Sequence, residues 1–274
     1  MTNSSNPTNS YTVPSVSIAT AHTGASSKAN ELGMRTMQER AFAKRGEQYL
    51  LIKSPPASGK SRALMFIALD KLHNQGLQQA IVVVPERSIG GSFADEPLSQ
   101  QGFDWDWQVA PQWNLCNAPG IDEPRVAKSK VQAVRTFLAS ADKTLVCTHA
   151  TFRFAVEELG LEAFDNRLIA IDEFHHVSAN PDNKLGSQLS ALISRDKVHL
   201  VAMTGSYFRG DSEAVLAPSE ENKFETVTYT YYEQLNGYRW LKSLDIGYFF
   251  YTGRYVDAVA KVLDPALKTI VHIP

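Results

Sequence analysis

The sequence has little cysteine, no long apolar run and no excess of positive charge, and each absence excludes a class of protein. Cys116 and Cys147 are its two cysteines, too few for a disulfide framework or a four-ligand zinc site. Lys and Arg number 27 against 29 Asp and Glu, which gives a net charge of −2. Any contact with nucleic acid must therefore be local, because no bulk basic field is present.

A membrane segment and a secretion signal are also missing. No apolar run reaches the roughly 18 residues that a membrane helix needs, and the N-terminus lacks a charged and then apolar pattern. Together with the scarce cysteines, this predicts a cytoplasmic protein without a membrane partner. Hydrophobic residues make up 43% of the 274 positions, which is ample for a buried core.

Residues 1–30 differ in composition from the rest of the chain. They are dominated by Ser, Thr, Asn and Ala with few large apolar groups, so they cannot bury enough surface to offset the entropy of ordering. The composition predicts a disordered leader over 1–30.

From Glu31 onward, apolar strands alternate with amphipathic helices. The predicted strands are YLLIK, AIVVVP, TLVCTH, RLIAID and VHLVAMTG, and helical patterns such as SRALMFIALDKLHNQG separate them. Strands that lack polar alternation and are separated by helices are typical of a parallel sheet that is covered on both faces. The predicted fold class is α/β, with a mainly parallel sheet.

Three tryptophans lie close together between the second and third of these strands. Trp105 and Trp107 fall in WDWQV, which is compatible with a strand in which both rings share a face, and Trp113 follows. Core packing is favoured for them over a platform on which nucleic-acid bases stack.

The segment SPPASGKS, residues 54–61, lies between the strand YLLIK and the helix SRALMFIALDKL. In such a setting backbone N–H groups and the helix N-terminus face an anion, Lys60 reaches the β and γ phosphates, and the Ser61 hydroxyl ligates Mg²⁺. The usual pattern has glycine where this chain has Ser54, but Gly59, Lys60 and Ser61 make the contacts. The alternative is a chance GKS between a strand and a helix.

A pair of carboxylates ends the predicted strand RLIAID. Asp172 is placed to hold Mg²⁺ through water, and Glu173 to orient and deprotonate the attacking water. The alternative is that both are solvated residues at a strand end. His175 and His176 follow, but the other candidate ligands are scattered, so a separate metal site is not favoured.

Five segments resemble motifs of superfamily 2 DEAD/DEAH-box helicases and translocases, and they follow one another along the chain in the same order as in that family. IDEFHH is similar to the family's DEAD/DEAH box, and MRTMQERA, with Gln38 22 residues before Lys60, is similar to its adenine-reading glutamine segment. VVVPERSIGGSF and VCTHATF resemble two motifs that contact the nucleic-acid backbone, and MTGS resembles the motif that couples hydrolysis to strand movement. The resemblance covers about residues 31–210 and implies a RecA-like P-loop NTPase fold.

The resemblance also implies roles for individual residues. The residues implied to bind ATP are Arg35 and Gln38 at the adenine, and Pro56, Ala57, Ser58, Gly59, Lys60, Ser61 and Arg62 at the phosphates. The implied Mg²⁺ ligands are Ser61 and Asp172, and the implied catalytic groups are Lys60, Asp172 and Glu173. The implied coupling residues are His175, Thr204 and Ser206, and the implied nucleic-acid contacts are Arg87, Ser88, Thr148 and His149.

Alternatives stay open for the last four residues. Arg87 and Ser88 are equally compatible with a solvated loop, and Thr148 and His149 with the N-cap of a helix. Two motifs also depart from the family pattern: the box reads DEFH, and MTGS replaces the commoner Ser-Ala-Thr.

Family members work with two RecA-like domains, and the second supplies arginines to the transferring phosphoryl group. No arginine-rich motif follows Asp211, whereas KTIVHIP near the C-terminus has the pattern of a new first strand. We therefore expect a RecA-like ATP-binding domain over 31–245, then a linker and the start of a truncated second RecA-like domain over 246–274.

The expected function is that of the N-terminal ATP-binding domain of a nucleic-acid motor similar to the motor subunits of restriction systems. The expected partners are ATP, Mg²⁺, nucleic acid (DNA rather than RNA), and a second RecA-like domain or subunit. Two alternatives remain: a module that binds nucleotide or nucleic acid without turnover, and a P-loop ATPase with no nucleic-acid role.

Overall fold

A computed structural model describes residues 15–19, 30–116, 124–177, 183–205, 216–236, 243–247, 252–263 and 266. The strands in these ranges are β1 Ser15–Ala19, β2 Tyr49–Lys53, β3 Ala80–Val84, β4 Thr144–Thr148, β5 Leu168–Ile171, β6 His199–Thr204, β7 Glu225–Thr228 and β8 Ser243–Gly247. The α-helices are α1 Thr36–Phe42, α2 Lys60–Asn74, α3 Pro124–Leu138, α4 His149–Leu159, α5 Lys184–Arg195, α6 Pro218–Glu221, α7 Tyr231–Asn236 and α8 Tyr255–Val262.

The chain divides into two compact units, one formed by Ala25–Tyr238 and the other by Met1–Gly24 with Arg239–Pro274. In the second unit β1 pairs antiparallel with β8. β1 lies within the predicted disordered leader, so that prediction does not hold for Ser15–Ala19. The apolar residues of SVSIA alternate with serine as strand residues do, a local signal that is lost when composition is averaged over the whole segment.

The larger unit contains a six-stranded sheet in the order β4-β3-β5-β6-β2-β7. All five strand pairings are parallel. Along β2, for example, Ile52 lies opposite Met203 of β6 on one side and Val227 of β7 on the other. The predicted parallel α/β architecture is confirmed, and β7 adds an edge strand.

The sheet is buried on both faces, which explains the continuous apolar strands. Every residue of β3, β4 and β5 is buried. From β2 to β4 each successive strand lies nearer one edge of the sheet, and from β4 to β7 each successive strand lies nearer the opposite edge. Because such crossovers are right-handed, the helices before this reversal cover one face of the sheet and those after it cover the other.

The strand order decides which loops meet. All six strands are parallel, so their carboxyl ends lie along one edge, where ligands bind in open α/β sheets. β6 lies between β5 and β2. The segments that follow these three strands, with Asp172, Gly205 and the loop over residues 54–61, are therefore neighbours.

The tryptophan segment packs into the core of the larger unit. Trp107 is fully buried and donates its indole N–H to the Phe93 carbonyl at 3.1 Å, and Trp113 is also buried. Instead of a strand, the segment makes a single antiparallel bridge between Trp107 and Glu96. Core packing was the favoured interpretation, and the burial of both rings confirms it.

Three findings bear on membranes, metals and thiols. Among the described residues, no helix has the length and apolar character needed to cross a bilayer. The same residues contain no cluster of three or more His, Cys, Asp or Glu side chains arranged to hold a metal ion. Cys116 and Cys147 are both buried free thiols.

Candidate functional site

The loop over residues 54–61 turns sharply from β2 into the N-terminus of α2. Ala57 and Gly59 have positive φ angles of 61° and 91°, and α2 begins at Lys60, directly after Gly59. The hydroxyl groups of Ser54 and Ser58 lie 2.6 Å apart within the loop, and both residues are buried. The first backbone N–H groups of α2 therefore open onto this loop, as anion binding at a helix N-terminus requires.

Gln38 of α1 is hydrogen-bonded to the backbone of the loop. Its Nε2 donates to the Gly59 carbonyl at 3.1 Å, and its Oε1 accepts from the Arg35 N–H at 2.8 Å. A Cβ on Gly59 would lie 2.5 Å from Gln38 Nε2, and the φ of 91° is one that L side chains rarely adopt, so both the close approach and the backbone favour glycine here. The Gln38 amide nitrogen keeps a second N–H donor, and its oxygen keeps a second acceptor position. This donor and acceptor pair matches the N6 and N7 edge of adenine.

Lys60 is a buried cation at the base of the loop. Its Nζ donates to the carbonyls of Ser54 at 3.0 Å and Pro55 at 3.1 Å. Burial lowers the pKa of the Lys60 ammonium, and the carboxylates of Glu173 and Asp172 oppose that shift. The ammonium thus lies within electrostatic reach of both acids.

Asp172 and Glu173 form a tight turn immediately after β5. Asp172 is buried, and burial, followed by the Glu173 charge, raises its pKa to about 6. Its Oδ1 accepts the Glu173 N–H at 2.9 Å. Glu173 has φ 48° and ψ 52°, a left-handed conformation that non-glycine residues adopt at an energetic cost and that is frequent at functional sites.

The loop and the acidic turn line one cavity of about 350 Å³. Its walls are Pro56, Ala57, Gly59, Lys60, Ser61, Ile89, Ser92, Asp172 and Glu173. The cavity suits a nucleoside triphosphate with bound Mg²⁺. Its buried ammonium and helix N-terminus favour phosphate, and its hydroxyl group and two carboxylates provide the oxygen ligands that Mg²⁺ prefers. Sequence reasoning missed the walls formed by Ile89 and Ser92.

A histidine connects the acidic turn to β6. His175 Nδ1 lies 3.2 Å from Glu173 Oε2 and 3.0 Å from Thr204 Oγ1. The contact exists because β6 is inserted between β5 and β2. Two of the three predicted coupling residues thus touch each other, while Ser206 lies outside the described residues.

Thr148 is buried and His149 is half-buried, and both side chains have partners within the protein. Thr148 caps α4, its hydroxyl accepting the Thr151 N–H at 3.2 Å. His149 Nε2 lies 3.0 Å from the Asp172 carbonyl oxygen, and burial lowers its pKa to about 4. The imidazole is therefore neutral at pH 7 and acts as a tether of the acidic turn, while helix capping accounts for Thr148.

Arg87 and Ser88 open the 3₁₀ helix Arg87–Phe93 that follows β3. Arg87 Nε donates to the Cys116 carbonyl at 3.0 Å, and the exposed Ser88 donates its hydroxyl to Glu86 at 2.6 Å. Arg62, predicted to contact nucleotide, forms an ion pair with Glu96 at 2.9 Å.

A second cavity of about 530 Å³ adjoins this 3₁₀ helix. It shares Ile89 and Glu173 with the first cavity, and His149 and Glu86 form other parts of its wall. The predicted nucleic-acid segments therefore lie beside the acidic turn.

One contact to the loop has no local signal in the sequence. Gln234 of α7 donates from Nε2 to the Pro56 carbonyl at 2.9 Å, across a separation of 178 residues. Only the three-dimensional fold reveals it.

Comparisons with known proteins identify the family of this chain. A family model described as DEAD/DEAH box helicase matches residues 35–211. The chain is 57% identical over 252 residues to "Putative ATP-dependent helicase YeeB" of Bacillus subtilis (strain 168), which covers 92% of this chain and 41% of that protein. The chain thus spans less than half the length of this relative.

The solved structures found by comparison share little sequence identity with the chain. The Pyrococcus furiosus Hef helicase domain is 18% identical with a TM-score of 0.44, over 70% of this chain and 37% of that one. The DUF1998 helicase MrfA bound to DNA and AMPPNP is 14% identical with a TM-score of 0.46, over 78% and 32%. On the strength of the family match over 35–211, the chain belongs to the DEAD/DEAH box helicase family, with a RecA-like P-loop fold.

Proposed function

We propose that this chain contains the ATP-binding motor domain of a nucleic-acid helicase or translocase that acts on DNA rather than RNA. The observation that carries the proposal is the cavity of about 350 Å³ in which Lys60 and Ser61 face the acidic turn of Asp172 and Glu173. The His175 bridge from Glu173 to Thr204 adds a route by which the state of the site reaches a neighbouring strand.

ATP binds with its phosphates at the N-terminus of α2. Lys60 provides a charge-assisted hydrogen bond, which is stronger than a neutral one, and Gln38 with Arg35 meets the adenine. Ser61 and Asp172 hold Mg²⁺, which when bound neutralises charge on the β and γ phosphate oxygens. Asp172 is buried, and a charged carboxylate is unfavourable in a buried position unless it is paired. Bound Mg²⁺ would provide that partner and favour the charged form of Asp172.

Glu173 is the general base. It accepts the proton of the attacking water, and His175 keeps its carboxylate in place from 3.2 Å away. Thr204 in turn fixes the imidazole from the end of β6. Loss of the γ-phosphate would therefore be sensed at the carboxyl end of β6, which is the coupling step of the motor.

Nucleic acid contacts the edge formed by Arg87, Ser88 and the second cavity. Thr148 and His149 support this edge, and His149 connects it to Asp172 through the backbone. Since the net charge of −2 adds little nonspecific attraction, binding through these few phosphate contacts should be weak and be lost as salt rises, with a slope set by their small number.

Full turnover requires a cation that the lining of the described cavity does not supply. Lys60 is the one cationic residue among its walls, and an arginine delivered from outside can raise phosphoryl-transfer rates by about 10³-fold or more. We propose that a second RecA-like domain or subunit provides it. The buried free thiols of Cys116 and Cys147 suit a reducing, cytoplasmic setting.

The test is steady-state ATP hydrolysis with and without single-stranded DNA, double-stranded DNA and RNA. Residues 1–274 alone should hydrolyse ATP slowly, and a form that adds a second RecA-like domain should show strong DNA stimulation. ATP binding without turnover in the two-domain form would support a binding module, and unstimulated turnover an ATPase with no nucleic-acid role. Strong DNA-stimulated hydrolysis by 1–274 alone would refute the need for a second domain.

A further inference from the structure

Two glutamine side chains bond to backbone carbonyls of the same phosphate-binding loop. Gln38 of α1 donates to the Gly59 carbonyl at 3.1 Å, and Gln234 of α7 donates to the Pro56 carbonyl at 2.9 Å. Both side chains belong to buried residues, with relative exposures of 2% and 8%. Both bonds are partly buried, and because each donor is anchored in a buried residue, the bond favours one direction of the carbonyl that accepts it.

The direction of these carbonyls matters because a peptide unit is planar and trans. Fixing the C=O of one residue fixes the N–H of the next, which points the opposite way. The Pro56 carbonyl shares its peptide unit with the Ala57 N–H, and the Gly59 carbonyl shares its own with the Lys60 N–H. Ala57 and Lys60 both line the cavity, so the two glutamines orient N–H groups at both ends of its loop wall.

The helices that carry the two glutamines are joined to each other. Arg40 of α1 forms an ion pair with Glu233 of α7 at 2.8 Å and donates to the Thr228 carbonyl at 2.7 Å. The hydrogen bond from Arg40, followed by one from the Thr230 backbone, lowers the pKa of Glu233 to about 2. The loop, α1 and α7 therefore contact one another in pairs: Gln38 joins α1 to the loop, the ion pair joins α1 to α7, and Gln234 joins α7 to the loop.

We propose that Gln234 is a positioning residue for nucleotide binding, which acts through the Pro56 carbonyl to hold the loop N–H groups toward the phosphates of ATP. The inference rests on the proposed function of the loop and extends it to α7, a helix that no motif of the sequence marks. Gln234 is not among the residues that line the cavity. Its loss raises the dissociation constant because the loop must then be ordered by the ligand.

The experiment compares Gln234→Met with a matched control in the full chain of 274 residues. Methionine keeps the length of the side chain and removes the donor. Gln188→Met is the control, because Gln188 Nε2 of α5 donates to the Arg153 carbonyl of α4 at 3.0 Å, the same type of bond between two helices that do not contact the loop through it. Gln234→Glu is a second variant, in which a carboxylate faces the Pro56 carbonyl.

Two measurements are made on each variant. Titration with a fluorescent ATP analogue and Mg²⁺ should show affinity about 3- to 10-fold weaker for Gln234→Met, as one lost hydrogen bond implies, and weaker still for Gln234→Glu. Hydrogen exchange without nucleotide should be faster at the loop amides of residues 57–61 in both variants. Gln188→Met should bind within about twofold of the parent and leave exchange at the loop unchanged.

The outcomes separate this inference from the proposed function. If the parent chain binds the analogue and Lys60→Ala weakens binding at least about 10-fold, but Gln234→Met and Gln234→Glu match the parent in affinity and loop exchange, the inference is refuted and the proposed function stands. An equal loss of affinity in Gln188→Met would also refute it, since general destabilisation would then explain the effect. A parent chain without saturable binding overturns both.

Discussion

Gly59→Ala should damage the site far more than an equivalent change at another left-handed glycine. Alanine at φ 91° carries the left-handed penalty of about 1–2 kcal/mol. In addition, its Cβ would lie 2.5 Å from Gln38 Nε2, so the amide has to move. That breaks the bond to the Gly59 carbonyl and leaves a buried amide without its partner, which costs about 1–3 kcal/mol more.

Gly76→Ala is the matched control. Gly76 has φ 72°, and a Cβ there would meet nothing within 4 Å, so only the backbone penalty of about 1–2 kcal/mol applies. Urea unfolding should place Gly59→Ala about 1–3 kcal/mol below Gly76→Ala in free energy of unfolding. Titration with Mg-ATP should show loss of binding in Gly59→Ala alone.

A double-mutant cycle identifies the cause. Gln38→Ala removes the group that the new Cβ would meet, so Gly59→Ala made in that background should cost only the backbone penalty of about 1–2 kcal/mol. If Gly59→Ala has the same cost in both backgrounds, or if it binds ATP as the parent does, then Gln38 does not brace the loop through the Gly59 carbonyl.

The remaining predictions address turnover, coupling and pH. Glu173→Gln should bind Mg-ATP with parental affinity and lose turnover, because an amide cannot accept the proton of water; parental turnover in a form with both RecA-like domains would show that Glu173 is not the base. His175→Ala should reduce the ratio of DNA-stimulated to basal hydrolysis more than basal hydrolysis itself, whereas an unchanged ratio would remove His175 from the coupling route. Burial, and then the charge of Lys71 at 3.0 Å, lowers the pKa of His199 to about 4. Since the folded-state pKa is depressed, the stability that neutral His199 contributes is present above the unfolded pKa of about 6.5 and is lost as pH falls through about 4. His199→Gln should therefore flatten the loss of melting temperature over that window, and parallel curves for parent and variant would contradict this assignment.

The sequence was sufficient to predict the parallel sheet and the two segments that meet in the cavity. Continuous apolar strands report burial on both faces, and GKS at a helix start is a local pattern. Asp172 and Glu173 follow β5 in the sequence and lie in the same cavity as Lys60 in the structure, because the carboxyl ends of parallel strands share one edge.

Other features depend on contacts that local pattern does not encode. The strand order that places Thr204 beside His175 follows from tertiary packing. The tryptophan segment is not a strand, because side chains bond to its backbone instead: Asp95 accepts from the Val109 N–H at 2.8 Å. The contact of Gln234 with Pro56 joins residues 178 positions apart, beyond the reach of any periodicity.

Calorimetric titration of the chain with Mg-ATP decides whether the loop over residues 54–61 binds ATP through Lys60. The parent should bind one ATP per chain, and Lys60→Ala should bind about 10- to 100-fold more weakly, as expected when a charged hydrogen-bond partner is lost. The control is Lys143→Ala, which removes an exposed lysine whose Nζ bonds to the Gln78 carbonyl, and it should retain parental affinity. A folded Lys60→Ala variant that binds Mg-ATP as tightly as the parent would show that Lys60 does not hold the phosphates of ATP.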